Sequence, residues 1–300
     1  MSIAIIIIAG VNASLSSVVT SGNESHVVTK YEEKIFQIDE KDVLKKMVER
    51  ELGKKPFAAY LHGPTPFGNL YSKNAWKEVE THLTVKNAYI TKYESRPFIV
   101  ETKFFSNQSR IKAQFNANIS ANVVNTIESN WSHNNVISFD QAVNYGIQFN
   151  GAGLGGNTNL HYEHSWGKGG SKSEAFTIGS STGLLVELDP GQEVIAELIA
   201  SKGTIHAKIE YESFLQGDIA TNYFTKLNGS HHWAIPIMHA MKNYGLENSK
   251  KTEETVTVDF YSNSTIILKD SAGTLLKQYF LDSQGNILST LDYNKKNNTF

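Results

Sequence analysis

The strict two-residue alternation on both sides of a Gly-rich stretch at 150–156 constrains this chain more than any other feature. From 137 to 149 the odd positions read Ile137, Phe139, Gln141, Val143, Tyr145, Ile147 and Phe149, and the even positions between them are Ser, Asp, Ala, Asn, Gly and Gln. One apolar and one polar face at a period of two is a strand pattern, because a helix repeats every 3.6 residues. Beyond Asn150-Gly151-Ala152-Gly153 the parity inverts: Leu154, Thr158, Leu160, Tyr162 and Trp166 are even, while Asn159, His161 and Glu163 are odd. Two strands that share an apolar face pair odd with even, so an even number of residues must connect them. A two-residue Asn150-Gly151 turn meets that condition, and so does a four-residue loop over 150–153. Residues 136–166 are therefore expected to form an amphipathic hairpin. Each arm reaches the ~9–11 residues that a tilted strand needs to cross a bilayer.

An ordinary half-buried hairpin of an antiparallel sheet shows the same alternation. Charge separates the two readings. Between Lys112 and Lys168 there is no Lys or Arg, and the only formal charges are Glu128, Asp140 and Glu163, all on the polar phase. A solvated sheet face usually mixes Lys with Glu. A face of Asn, Ser, Gly, Thr and Gln suits a surface that must lie against protein in one state and line a water-filled lumen in another. The residues expected to face lipid are Val143, Tyr145, Ile147, Phe149, Leu154, Leu160 and Tyr162. Asp140, Asn144, His161 and Glu163 are expected to face the lumen.

The remaining composition sets bounds. A net charge of -2 with only three arginines among 28 basic residues argues against nucleic-acid binding. The absence of cysteine rules out disulfides, thiolate metal sites and a Cys nucleophile. The apolar run Ile3–Gly10, followed by Val11-Asn12-Ala13, reads either as a leader cleaved within 1–13, though without a basic start, or as a strand. N-x-S/T sequons at Asn12, Asn23, Asn107, Asn118, Asn130, Asn228, Asn263 and Asn297 agree with secretion and make Asn107, Asn118, Asn130, Asn228 and Asn263 glycosylation candidates. No other segment approaches the ~18 apolar residues of a membrane helix, so any crossing must use strands.

Taken in order, 14–34 lacks a period and reads as a loose arm. Asp39 as N-cap, an apolar stripe through Leu52 and a stop at Gly53 predict a helix over 39–52. The segment 56–76 is rich in Pro, Gly and aromatics, and Tyr71 and Trp76 are its candidates for receptor contact. Strand patterns then dominate. Ile111 to Phe149 keep one phase, a run that would span ~130 Å unbroken, so a break near 133–135 is expected. The stretch 167–173 reads as a flexible return, Lys202-Gly203 as a turn, and 236–244 as a short helix between Pro236 and Gly245. Two Asp-x-x-Gly turns, at 270–273 and 282–285, separate strands near 256–268, 274–281 and 286–293 into a meander.

Three stretches together resemble the aerolysin-type β-pore-forming proteins, specifically the epsilon-toxin/mosquitocidal-toxin branch with its spherulin-like members. They are the Ser/Thr/Asn-rich strand 107–131 ending in Asn130-Trp131, the hairpin 136–166, and Leu185-Val186-Glu187-Leu188-Asp189-Pro190-Gly191-Gln192-Glu193-Val194 leading to Tyr211. The resemblance covers roughly 95–220. It implies a mainly β, elongated architecture with long antiparallel strands, an insertion hairpin and a small α+β N-terminal part. It divides the chain into an N-terminal arm, helix and receptor-binding part (14–95), a long-strand module (96–215) and a C-terminal meander (216–300). It also implies a secreted protein that binds a glycan, lipid or protein receptor on a cell surface, forms a homo-oligomer and inserts one hairpin per subunit into the membrane. The alternative is a non-lytic secreted binding protein on the same scaffold.

No enzymatic activity, cofactor or metal is expected. Gly151-Ala152-Gly153-Leu154-Gly155-Gly156 matches a dinucleotide-binding pattern but leads into alternation and not a helix. His161 and His164 fall on opposite strand faces, and His231, His232 and His239 have no carboxylate spacing to complete a metal site.

Overall fold

The computed structural model describes residues 2–40, 42–132, 137, 139, 142–150, 160–180, 184–282 and 284–293. The chain opens with β1 (Ala4–Gly10), so in this structure the apolar run at the start is a strand, with Ile3, Ile5 and Ile7 all buried. A 3-10 turn follows, capped by the Asn12 side chain, which accepts the Leu15 N–H at 3.1 Å. Then come β2 (Ser17–Ser21) and β3 (Asn23–Val27). The arm expected to be loose is thus structured. It ends in α1 (Lys30–Ile35), whose capping box pairs the Thr29 hydroxyl with the Glu32 N–H and the Glu32 carboxylate with the Thr29 N–H.

Helix α2 (Val43–Leu52) begins after Asp42, three residues later than the periodicity predicted, and stops at Gly53 in the left-handed conformation. Two short elements, β4 (Ala58–Tyr60) and α3 (Leu70–Asn74), occupy the aromatic-rich segment. The strands β5 (Glu80–Ser106), β6 (Ala113–Asn116), β7 (Ser120–Trp131), β8 (Ala142–Asn150), β9 (Leu160–Ser165), β10 (Gly170–Gly179), β11 (Leu185–Leu188) and β12 (Glu193–Gln216) follow. The long single-phase run therefore divides into three strands. The expected flexible return becomes β10 from Gly170 onward, paired along its length with β7. The expected turn at Lys202-Gly203 is absent. Strand β12 runs straight through it for 24 residues, ~80 Å of extended chain, with the Phe260 ring lying where a side chain on Gly203 would be.

The C-terminal part comprises β13 (Asp218–Leu227), β14 (Ser230–Pro236), α4 (Ile237–Tyr244), β15 (Lys250–Asp270), β16 (Leu275–Leu281) and β17 (Ile287–Asp292). The meander and both of its turns lie where the Asp-x-x-Gly spacing put them. Asp270 accepts the N–H groups of Ala272 and Thr274, and Asp282 accepts those of Gln284 and Asn286.

One long antiparallel sheet, ordered β10-β7-β15-β12-β5-β3, forms the spine, and β16 and β17 extend it from the second half of β15. A four-stranded sheet, β2-β1-β8-β9, packs on it. Their shared core contains Ile3, Ile5, Ile7, Val143, Tyr145, Ile147, Leu160 and Tyr162 from the smaller sheet, and Ile127, Trp131, Ile205, Ile209, Tyr211, Val256 and Phe260 from the spine. A second core joins the β6–β11 pair to the far end of the spine through Ala117, Ile119, Leu184 and Leu188 against Val194, Leu198, Ile266 and Leu268. The fold is mainly β with long antiparallel strands, as the alternation predicted.

Candidate membrane-insertion hairpin

Strands β8 and β9 pair antiparallel as the inverted parity required: Tyr145 faces Tyr162, Asn144 faces Glu163 and Ile147 faces Leu160. The connection differs from both expectations. With an Asn150-Gly151 turn, His161 would face Asp140; it faces Gly146, six residues further on. Asn150 itself lies in β8, opposite Gly10 of β1. Parity sets only whether the loop is even, so a longer connection satisfies it equally well, and backbone pairing with β1 carries β8 as far as Asn150. Leu154 and Asp140 lie outside the described residues, as does the side chain of Phe149.

The apolar face turns inward. Val143, Tyr145, Ile147, Leu160 and Tyr162 are buried, whereas His161 and Glu163 are exposed and Asn144 is half-buried. Burying each aliphatic side chain contributes about 1.5–3 kcal/mol, so in this state the face suited to lipid is held by protein. An aromatic cluster anchors the ends of the hairpin. Trp166 meets Trp131 at 4.5 Å and Tyr211 at 4.6 Å, both edge-on, and its indole N–H donates to the Ile137 carbonyl at 2.7 Å. On its other side β8 pairs in parallel with β1, from Ala4 opposite Asn144 to Gly10 opposite Asn150.

A buried carboxylate sits under the hairpin. Glu254 on β15 is flanked in register by Trp131 of β7 and Ile209 of β12, and it is fully buried. Three hydroxyls donate to it: Tyr145 of the hairpin and Ser129 (2.5 Å) to one oxygen, and Tyr211 (2.6 Å) to the other. Burial holds the Glu254 carboxyl above the usual carboxylate range, although the three hydrogen bonds oppose the shift. Burial and the neighbouring carboxylate together push the Tyr211 phenol upward. Nearby, the Tyr162 hydroxyl and the Trp131 indole N–H are buried without a hydrogen-bond partner among the described residues, and each such group costs ~1–3 kcal/mol. The sequence signal for Glu254 was its phase: it shares the inward parity of Val256, Val258 and Phe260.

The other predicted positions separate. Tyr71 is a core residue and offers no ring to a receptor: its hydroxyl donates to the carbonyls of Tyr60 (2.7 Å) and Asp218 (3.1 Å). Trp76 is half-buried against the same small cluster. The aromatic surface at this end belongs instead to Phe57 and Phe224, whose rings pack at 3.8 Å while Phe224 stays 73 % exposed. Asn107 is buried and commits its amide nitrogen to the carbonyls of Ile111 and Leu188, so it presents no group to a glycan. Asn130 and Asn228 are exposed and Asn118 is half-buried; the Asn263 side chain lies outside the described residues. Among the described residues no group of three His, Cys, Asp or Glu could hold a metal ion, and no helix is long and apolar enough to cross a membrane, which leaves strands untouched.

A mainly β fold with long antiparallel strands is the one found in aerolysin-like β-pore-forming toxins. Parasporin-2 of Bacillus thuringiensis, a toxin described as recognising cancer cells, has this fold: it superposes with a TM-score of 0.54 at 12% identity over 83% of this chain and 98% of its own. No family model matches the sequence. U-megalopygitoxin(8)-Mc8 of Megalopyge crispata is 30% identical over 250 residues, 83% of this chain and 85% of the relative. U-megalopygitoxin(8)-Mo15 of Megalopyge opercularis is 31% identical over 83% of this chain and 78% of its own. The chain belongs to the U-megalopygitoxin(8) family.

Proposed function

We propose that this protein is a secreted β-pore-forming toxin that binds a cell surface, oligomerises there and inserts β8 and β9 of each subunit into a transmembrane barrel. The observation that carries the reading is the hairpin: one apolar face buried against the spine and one nearly uncharged polar face. The nine residues of β8 meet the ~9–11 that a tilted strand needs to cross a bilayer, and the six of β9 would have to be extended by adjoining chain on insertion. A barrel strand in lipid must place alternate residues in hydrocarbon and water, and these two faces meet that demand without changing register. The exposed Phe57–Phe224 pair is the surface we assign to first contact with the cell. The long-strand module 96–215 and the finer kinship with the epsilon-toxin/mosquitocidal-toxin branch belong to the same reading.

The test is dye release from receptor-bearing vesicles, together with single cysteines that carry a fluorophore quenched by lipid-borne groups. Because Val143, Ile147 and Leu160 are already buried in the soluble protein, a polarity-sensitive dye would not distinguish core from lipid, whereas lipid-borne quenching does. Labels at these three positions should be quenched on membrane binding, and those at Asn144, Gln148 and His161 should not. Quenching without that alternation, or none at all, would leave a surface-binding protein that does not insert.

A further inference from the structure

We propose that Glu254 is a protonation-controlled clasp for the hairpin: acid holds β8 and β9 against the spine, and neutral to alkaline solution loosens them. This rests on reading β8–β9 as the element that moves. The geometry is that of a seam. Glu254 lies on the spine, and the side chains enclosing it come from every strand that meets there. Strand β8 contributes the Tyr145 hydroxyl, β12 the Tyr211 hydroxyl, β7 Ser129 and Trp131, and β9 Tyr162, whose own hydroxyl is buried without a hydrogen-bond partner among the described residues. Among the described residues, the titratable groups facing the carboxyl are thus three tyrosines. The neighbouring imidazole, His164, lies beyond Tyr162 with ring centroids 5.5 Å apart. The carboxylate's bonded partners are hydroxyls, which share its charge without cancelling it.

The direction follows from what each state does to the carboxyl. Docked, it is dry and its ionised form is penalised, so its titration lies above the ordinary value. When Tyr145, Tyr162 and Trp166 leave, the same carboxyl faces water and titrates normally. A group that binds its proton more tightly in the docked state stabilises docking fully below its ordinary pKa, and that contribution is lost as pH rises through the raised one. The effect is up to about tenfold in the docking equilibrium per pH unit inside that window. The hairpin is therefore held hardest where most carboxylate contacts weaken.

Hydrogen exchange of the intact chain, in solution and without membrane, tests this between about pH 5 and about pH 8. After correction for intrinsic rates, amides of Ala142–Asn150 and Leu160–Ser165 should lose protection as pH rises, relative to those of β12. Glu254→Gln, which keeps the shape and removes the charge, should give a flat profile with hairpin protection at pH 8 above that of the parent. Tyr145→Phe removes one of the three donors that favour the ionised form in the docked state and should carry the loss of protection to higher pH. A parent hairpin whose protection is level or rises with pH overturns the clasp, as does a Glu254→Gln profile that keeps the parent's slope. Should Glu254→Gln not fold, a Tyr145→Phe profile that is not displaced to higher pH from the parent's has the same force. Dye release plays no part in these readouts, so the clasp and the pore can fail separately.

Discussion

At the residue scale, close packing decides what a position tolerates. Gly203 sits in the middle of β12, where a Cβ would come within 2.4 Å of the Phe260 ring. Gly203→Ala should cost about 1–3 kcal/mol through overpacking, seen as a lower denaturation midpoint. Phe260→Leu should recover much of that cost in the double variant, because the two substitutions share one space. An additive double variant would mean that the ring is not what excludes the side chain. Tyr71 carries a different burden. Its hydroxyl satisfies two carbonyls, so Tyr71→Phe is expected to destabilise by ~1–3 kcal/mol while leaving cell binding intact. Lost binding without lost stability would return Tyr71 to the receptor surface.

At the element scale, the hairpin's polar face sets what a pore would pass. Glu163 is exposed on that face and lies opposite the neutral Asn144, and the sequence between Lys112 and Lys168 supplies no Lys or Arg to oppose it. The expected pore is weakly cation-selective, and Glu163→Gln should bring the reversal potential in a salt gradient closer to zero. Anion selectivity near neutral pH would contradict this assignment of faces. The register matters here: His161 lies opposite Gly146, and not where an Asn150-Gly151 turn would have set it.

At the scale of the whole molecule, β1 is the partner that the hairpin would have to leave under the proposed insertion. Strand β8 hydrogen-bonds in parallel to β1, and Ile6 lies directly opposite Gly146, with the Ile6 side chain 3.8 Å from where a Gly146 Cβ would be. Cysteines at these two positions fall within disulfide reach, and the cysteine-free background makes the pair clean. The oxidised Ile6→Cys/Gly146→Cys protein should release no dye, and reductant should restore release to the level of the reduced control. Undiminished release from the oxidised form would mean that β8 crosses no membrane, or that it carries β1 with it.

The sequence by itself determined the strand-dominated class, the inward and outward faces of β8 and β9, the meander with its two Asp-x-x-Gly turns, and the helices ending at Gly53 and Gly245. Each is a local consequence of side-chain period or of a residue's own backbone preference. Tertiary structure decided what these elements lie against. Parity left the hairpin register free by any even number, and the β8–β9 pairing in the folded protein set Gly146 opposite His161. Lys202-Gly203 carried a turn signal, yet the Phe260 ring across the sheet made that glycine a packing site within an unbroken strand. The flexible-looking 170–173 was straightened by β7, and Tyr71 was drawn into the core by two distant carbonyls. Glu254 shows the division most plainly. Its phase placed it inward, but only the convergence of β7, β8, β12 and β15 gave it three hydroxyl donors and, among the described residues, no opposing charge, because contacts between residues 43, 109 and 125 positions apart leave no trace in local pattern.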